Sequence, residues 1–150
     1  MTNDESMTKP EDHRTPLDDD SFWNDRKILV VREEAGVKRV YDLEERTARF
    51  GEAVIDFAKT VPQGPVTSRI ISQLVGVGTS VGANYVEADD AVSKKEFLKC
   101  IGTCRKEARE TKHFLRMTGR AVPGLKLRAL WVEAKELHLI FSKIWRSKSE

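Results

Sequence analysis

The sequence predicts an all-α protein, an antiparallel up-down-up-down four-helix bundle over residues 42–146. Three observations carry that prediction. Apolar residues recur at alternating spacings of four and three through four stretches of roughly 20 residues each, the period of a helix with one buried face. Two of these stretches open on a capping box, Asp42-x-x-Glu45 and Ser93-x-x-Glu96. The connections between stretches are short, which makes consecutive helices antiparallel neighbours.

The chain ahead of the bundle has a different composition. Residues 1–20 (MTNDESMTKPEDHRTPLDDD) hold one Leu and two Met among many charges. Such a segment buries too little apolar surface to offset its ordering entropy, and a disordered acidic tail is expected. Residues 21–41 read as an extended arm or small hairpin, because 28–31 (ILVV) and 37–41 (VKRVY) are β-prone and 33–36 can turn between them.

The first helix is expected from Asp42, with Leu43, Thr47, Phe50, Val54, Phe57 and Val61 as its seam, and 62–65 (PQGP) ends it. The second begins near Thr67 or Ser68 and closes on the acidic pair Asp89 and Asp90. Its main seam is Ile70, Leu74, Val77, Val81, Tyr85 and Ala88. A second seam, Ile71, Val75, Gly78, Gly82 and Val86, lies about 80–100° around the cylinder. With Gly76, this helix carries three glycines, each unfavourable by about 1 kcal/mol relative to Ala. Two seams imply burial over half the circumference, more than a peripheral helix needs. The missing Cβ atoms on the second seam are therefore expected to admit the backbone of a neighbouring subunit. Gln73, Ser80, Asn84 and Glu87 form a polar line beside the main seam. If buried they must be hydrogen-bonded, and they read as a network between helices or subunits. Gln73, Val75, Gly78, Ser80, Gly82, Asn84, Val86 and Glu87, with Phe114 of the third helix, make up the expected oligomer interface.

The third helix opens at Ser93 and ends within 119–123, with the seam Phe97, Ile101, Cys104, Ala108, Thr111, Leu115 and Thr118. The fourth is expected from about Leu125 to Trp145. Its seam is Leu127, Leu130, Ala134, Leu137, Phe141 and Ile144, with Trp131, His138 and Trp145 along one margin and a frayed polar end after it.

The net charge of +2 hides an uneven distribution. Residues 92–150 hold fifteen Lys/Arg against six Asp/Glu, whereas residues 1–26 hold three against eight. Lys94, Lys95, Lys99, Arg105, Lys106, Arg109, Lys112, Arg116 and Arg120 all lie on the third helix or its ends. They are either a solvated helix face or a surface for the phosphate backbone of RNA or DNA, with affinity falling steeply in salt. Stacking on single strands needs exposed aromatics, and Phe114 is the candidate on that helix.

Other chemistries lack their residues. A di-iron bundle requires two Glu-x-x-His motifs; Glu110 and His113 supply one, pointing away from the seam, and Lys135 stands three residues before His138. No phosphate loop or nucleophile elbow occurs, and His138 reads as a core histidine. Cys100 and Cys104, four apart on a helix, have Cβ atoms about 6 Å apart, too far for a disulfide. No run approaches the roughly 18 apolar residues of a membrane span, and the N-terminus lacks a signal region. A cytoplasmic protein with no enzyme activity, cofactor, metal or membrane partner is expected.

Residues 73–88 (QLVGVGTSVGANYVEA) resemble the signature of a bacterial four-helix-bundle family first noticed as reading frames within intervening sequences of large-subunit ribosomal RNA genes. The start at 41–47 (YDLEERT), 93–97 (SKKEF) and 106–111 (KEARET) resemble it too, so that the likeness covers about residues 40–146. It implies a non-catalytic homopentamer. The accessory proteins of diversity-generating retroelements are a related group, and the relation implies a nucleic-acid role through a basic surface. Gly76 stands where an Arg is usual, which removes one positive charge from any such surface. The reading reached is a structural or interaction protein that self-associates, with a nucleic-acid-binding accessory module as the alternative.

Overall fold

The computed structural model describes residues 42–149, and the tail at 1–20 and the arm at 21–41 lie outside the described residues. Four helices follow one another: α1 (Leu43–Thr60), α2 (Pro65–Asp89), α3 (Lys94–Ala121) and α4 (Arg128–Ser149). The all-α prediction holds for all of them. Every seam residue of α1 is buried, from Leu43 through Thr47, Phe50, Val54 and Phe57 to Val61 just past its end. The core continues with Leu74 and Val81 of α2, Ile101, Cys104 and Leu115 of α3, Leu127 just ahead of α4, and Leu137 and Phe141 of α4. Each large aliphatic or aromatic side chain taken from water in this way contributes about 1.5–3 kcal/mol.

Consecutive helices run antiparallel. Gly82 faces Thr47 and Gly78 faces Val54, so α2 descends as α1 rises. Cys104 Sγ lies 3.5 Å from the Val81 carbonyl oxygen between α3 and α2. Arg105 meets Trp145 and Lys112 meets Trp131 between α3 and α4. Tyr85 of α2 and Phe141 of α4 meet at 6.0 Å between ring centroids, their planes tilted by 47°. The first and last helices are joined by Arg46, which bonds Glu133 at 2.6 Å and Glu136 at 2.6 Å.

Three buried threonines sit in the seams without orphaned hydroxyls. Thr47, Thr111 and Thr118 each donate to the carbonyl one turn back, those of Leu43, Glu107 and Phe114, at 2.6, 2.8 and 2.7 Å.

Both capping boxes form on the cap side only. Asp42 accepts from the Glu45 amide and Ser93 from the Glu96 amide, each at 3.1 Å. The return arm differs from the motif: Glu45 pairs with Arg49 one turn on, and Glu96 accepts from the amide of Val92 rather than that of Ser93. The second helix starts at Pro65, earlier than Thr67. Proline at the first helical position gives up only an amide that has no helical partner, and its fixed φ suits the turn. Thr67 instead donates back to the Pro62 carbonyl at 2.8 Å, closing the loop. Gly124, at a φ of 88°, makes the left-handed step into α4, which begins at Arg128 rather than Leu125. That helix also continues to Ser149, where Arg146 and Lys148 complement its C-terminal dipole.

Candidate functional site

The glycines of α2 serve the chain itself. A Cβ on Gly78 would lie 2.9 Å from both methyls of Val54, and one on Gly82 would lie 3.2 Å from Thr47 Oγ1. The close approach expected at a subunit boundary is made at both positions by α1 of the same chain; Gly78 is buried there, and its expectation is corrected accordingly, whereas Gly82 packs on Thr47 and still lines the outer surface. The partner on α1 is Gly51, whose Cβ would lie 3.4 Å from Thr79 Cα. Gly51 escaped the seam reading because it adjoins Phe50 rather than following the four–three spacing. A helix-interior glycine opposite a glycine-bearing helix was its signal. Gly76 differs from these, with nothing within 4 Å of where its Cβ would be.

Because the two backbones come so close, their outer edges leave a shallow groove of about 370 Å³. Small residues form its floor: Ala48 and Gly51 from α1, Thr79, Gly82 and Ala83 from α2. Ile55 and Val86 flank it, exposed at 38% and 43%, among the few large apolar side chains open to solvent in the described residues. Glu44 and Glu52 stand on its rim. Val86 thus keeps an outward position on the second seam.

The polar line divides. Asn84 reaches α3, donating to Glu107 at 2.9 Å and to the Ser80 carbonyl at 2.9 Å, and Ser80 donates to the Val77 carbonyl. Asn84 with Glu107 is therefore a tie between helices of one chain. Gln73 and Glu87 are exposed, Val75 is half-buried, and Phe114 is half-buried with its ring 5.2 Å from that of His113.

Seven of the nine basic positions of α3 and its ends, Lys94, Lys95, Lys99, Lys106, Arg109, Arg116 and Arg120, are exposed. The other two turn toward α4. Arg105 places its guanidinium carbon 5.0 Å from the Trp145 ring centroid, and the indole also lies over Gly102, where a Cβ would stand 3.5 Å from Nε1, an ordinary contact. Lys112 lies 5.5 Å from the Trp131 ring, which Lys135 approaches at 5.3 Å. Such cation–ring contacts contribute about 0.5–2 kcal/mol each. Burial, then Lys135 and Arg109, push the Lys112 ammonium down from the usual lysine range. The aromatics beside the basic helix thus come from α4, which inspection of α3 alone could not reveal.

His138 is half-buried and its Nδ1 lies 3.0 Å from the Arg105 carbonyl oxygen, so the ring nitrogen donates there. Burial holds the imidazole below the usual histidine range; Lys112, Arg109 and Arg105 act in the same direction, against that hydrogen bond. Burial pushes the Cys104 thiol up to about 12, far from the thiolate a nucleophile or metal ligand needs. Glu110 and His113 are both exposed. Among the described residues no group of three or more His, Cys, Asp or Glu is placed to hold a metal ion, and no helix is long and apolar enough to cross a membrane.

No family model and no curated protein sequence matches the chain. Among solved structures, it is similar to a protein of unknown function from the S23 ribosomal protein family of Bacteroides thetaiotaomicron. The TM-score is 0.60 at 22% identity, over 69% of this chain and 94% of that one. At that identity the likeness supports the fold alone.

Proposed function

We propose that the chain is a non-catalytic, self-associating four-helix-bundle interaction protein whose working form is a ring of copies, a pentamer by the resemblance of residues 73–88. The observation that carries this reading is the groove between α1 and α2, with Ile55 and Val86 exposed on either side of a floor of small residues. Exposed aliphatic side chains around a concave floor favour removal from water by a complementary surface. Light scattering at micromolar concentration tests it. The expected mass is five times the 17.1 kDa of the chain; a monomer would overturn the reading.

A second reading is nucleic-acid binding through the outer face of α3. It is favoured by exposed Lys99, Lys106, Arg109 and Arg120, with Trp145 half-exposed beside Arg105. Binding to generic RNA is measured at 50 and about 200 mM salt, where neutralising several phosphates should weaken affinity by about a hundredfold or more. Absence of binding at low salt removes this reading.

A further inference from the structure

A ring with an odd number of subunits cannot be built from self-complementary contacts alone. Each copy must present two different patches that fit one another. The groove between α1 and α2 is one such patch, and its charge restricts the other. Glu44 and Glu52 on the rim are both exposed. Two such grooves laid face to face would bring like charges together, which disfavours the groove as its own partner.

The chain carries the opposite sign on α3. Lys99, Lys106, His113 and Arg120 recur every seventh residue, which sets them on one line, and all are exposed. At the helical rise Lys99 and Lys106 stand about 10.5 Å apart along their axis, and Glu44 and Glu52 about 12 Å apart along theirs. The two spacings match within the reach of a lysine side chain. Lysine also suits the floor, since its aliphatic stem lies on apolar surface while the ammonium reaches the rim.

We infer that the α1–α2 groove of one copy receives the outer face of α3 from the next, with Lys99 and Lys106 against Glu52 and Glu44. This rests on the self-association reading and adds the surfaces that meet. It makes the contact head-to-tail, the type of interface that a ring with an odd number of copies requires.

The test is a charge swap followed by light scattering, with circular dichroism to verify that each variant keeps its helices. Glu44→Lys with Glu52→Lys, and separately Lys99→Glu with Lys106→Glu, should each weaken association at least about tenfold, since each juxtaposes like charges. An equimolar mixture of the two should reassemble into even-numbered or open arrays, because opposite charges then alternate. The quadruple variant should recover the wild-type mass. Double variants that retain the wild-type mass, or a quadruple variant that stays monomeric, would overturn the inference while leaving self-association standing. Monomeric wild-type protein would instead remove the reading beneath it. If the lysine variant loses RNA binding while neither pair alters assembly, α3 serves nucleic acid and the inference also fails.

Discussion

Gly76 and Gly78 lie two residues apart on α2 and differ in what stands opposite them. At Gly78 a methyl group would press on both branches of the fully buried Val54, whereas at Gly76 it would meet nothing. Gly78→Ala is therefore expected to destabilise the protein by about 1–3 kcal/mol, less the helix-propensity gain. Gly76→Ala should stabilise it by up to about 1 kcal/mol. Urea unfolding of the two variants gives opposite signs if the crossing of α1 and α2 is as described. His138 makes a second prediction at this scale. Its folded-state affinity for a proton is below the ordinary one, so the unfolded chain takes up the proton first. Stability should then be full above about pH 6.5 and decline as pH falls through and below that value. His138→Gln should flatten the urea midpoint between pH 5.5 and 7.5; an unchanged slope would assign the pH dependence to other groups.

At the scale of the element, the bundle closes unevenly. The pairs α1–α2, α2–α3 and α3–α4 are joined by short loops, but no loop connects α1 to α4. Arg46 does so, its guanidinium shared between Glu133 and Glu136 with all three side chains largely shielded from solvent. Glu136 retains only 13% exposure and Arg46 20%. Arg46→Ala should cost about 2 kcal/mol, the range of hydrogen bonds to charged groups. The loss should speed hydrogen exchange at the facing turns of α1 and α4 more than in α2 or α3. Protection lost evenly through the bundle would deny the bridge this local role.

For the whole molecule, the proposed self-association is tested at the groove. Ile55→Arg places a charge in the groove at an already exposed position, so the fold should tolerate it within about 0.5 kcal/mol. Sedimentation of this variant should show smaller species than wild type at equal concentration, with the same thermal transition in dilute solution. Unaltered sedimentation would move the interface elsewhere. If the proposed contact forms, light scattering should show assembly weakening with salt, whereas the core of the bundle, built on Leu74, Val81, Leu115 and Phe141, should be indifferent to salt.

Four helices, their caps at Asp42 and Ser93, and most of their buried faces were legible in the sequence because a helix is a local object. Its period declares the buried azimuth, and its capping residues act within one turn. The continuation of α4 to Ser149 and the start of α2 at Pro65 were read less well, since terminal turns depend on weak local preferences. What a buried azimuth faces is a different matter. The spacing of Gly78 and Gly82 marked a close approach but could not say whether α1 or another subunit made it, because a helical wheel gives direction without naming the neighbour. Only the packing decided that Val54 and Thr47 fill that space. Likewise only the packing brought Trp131 and Trp145 from α4 against Lys112 and Arg105 of α3, and left Ile55 and Val86 outside. The sequence by itself determined where each helix is apolar; the tertiary structure decided which apolar and small residues spend their complementarity inside the bundle and which remain exposed on its surface.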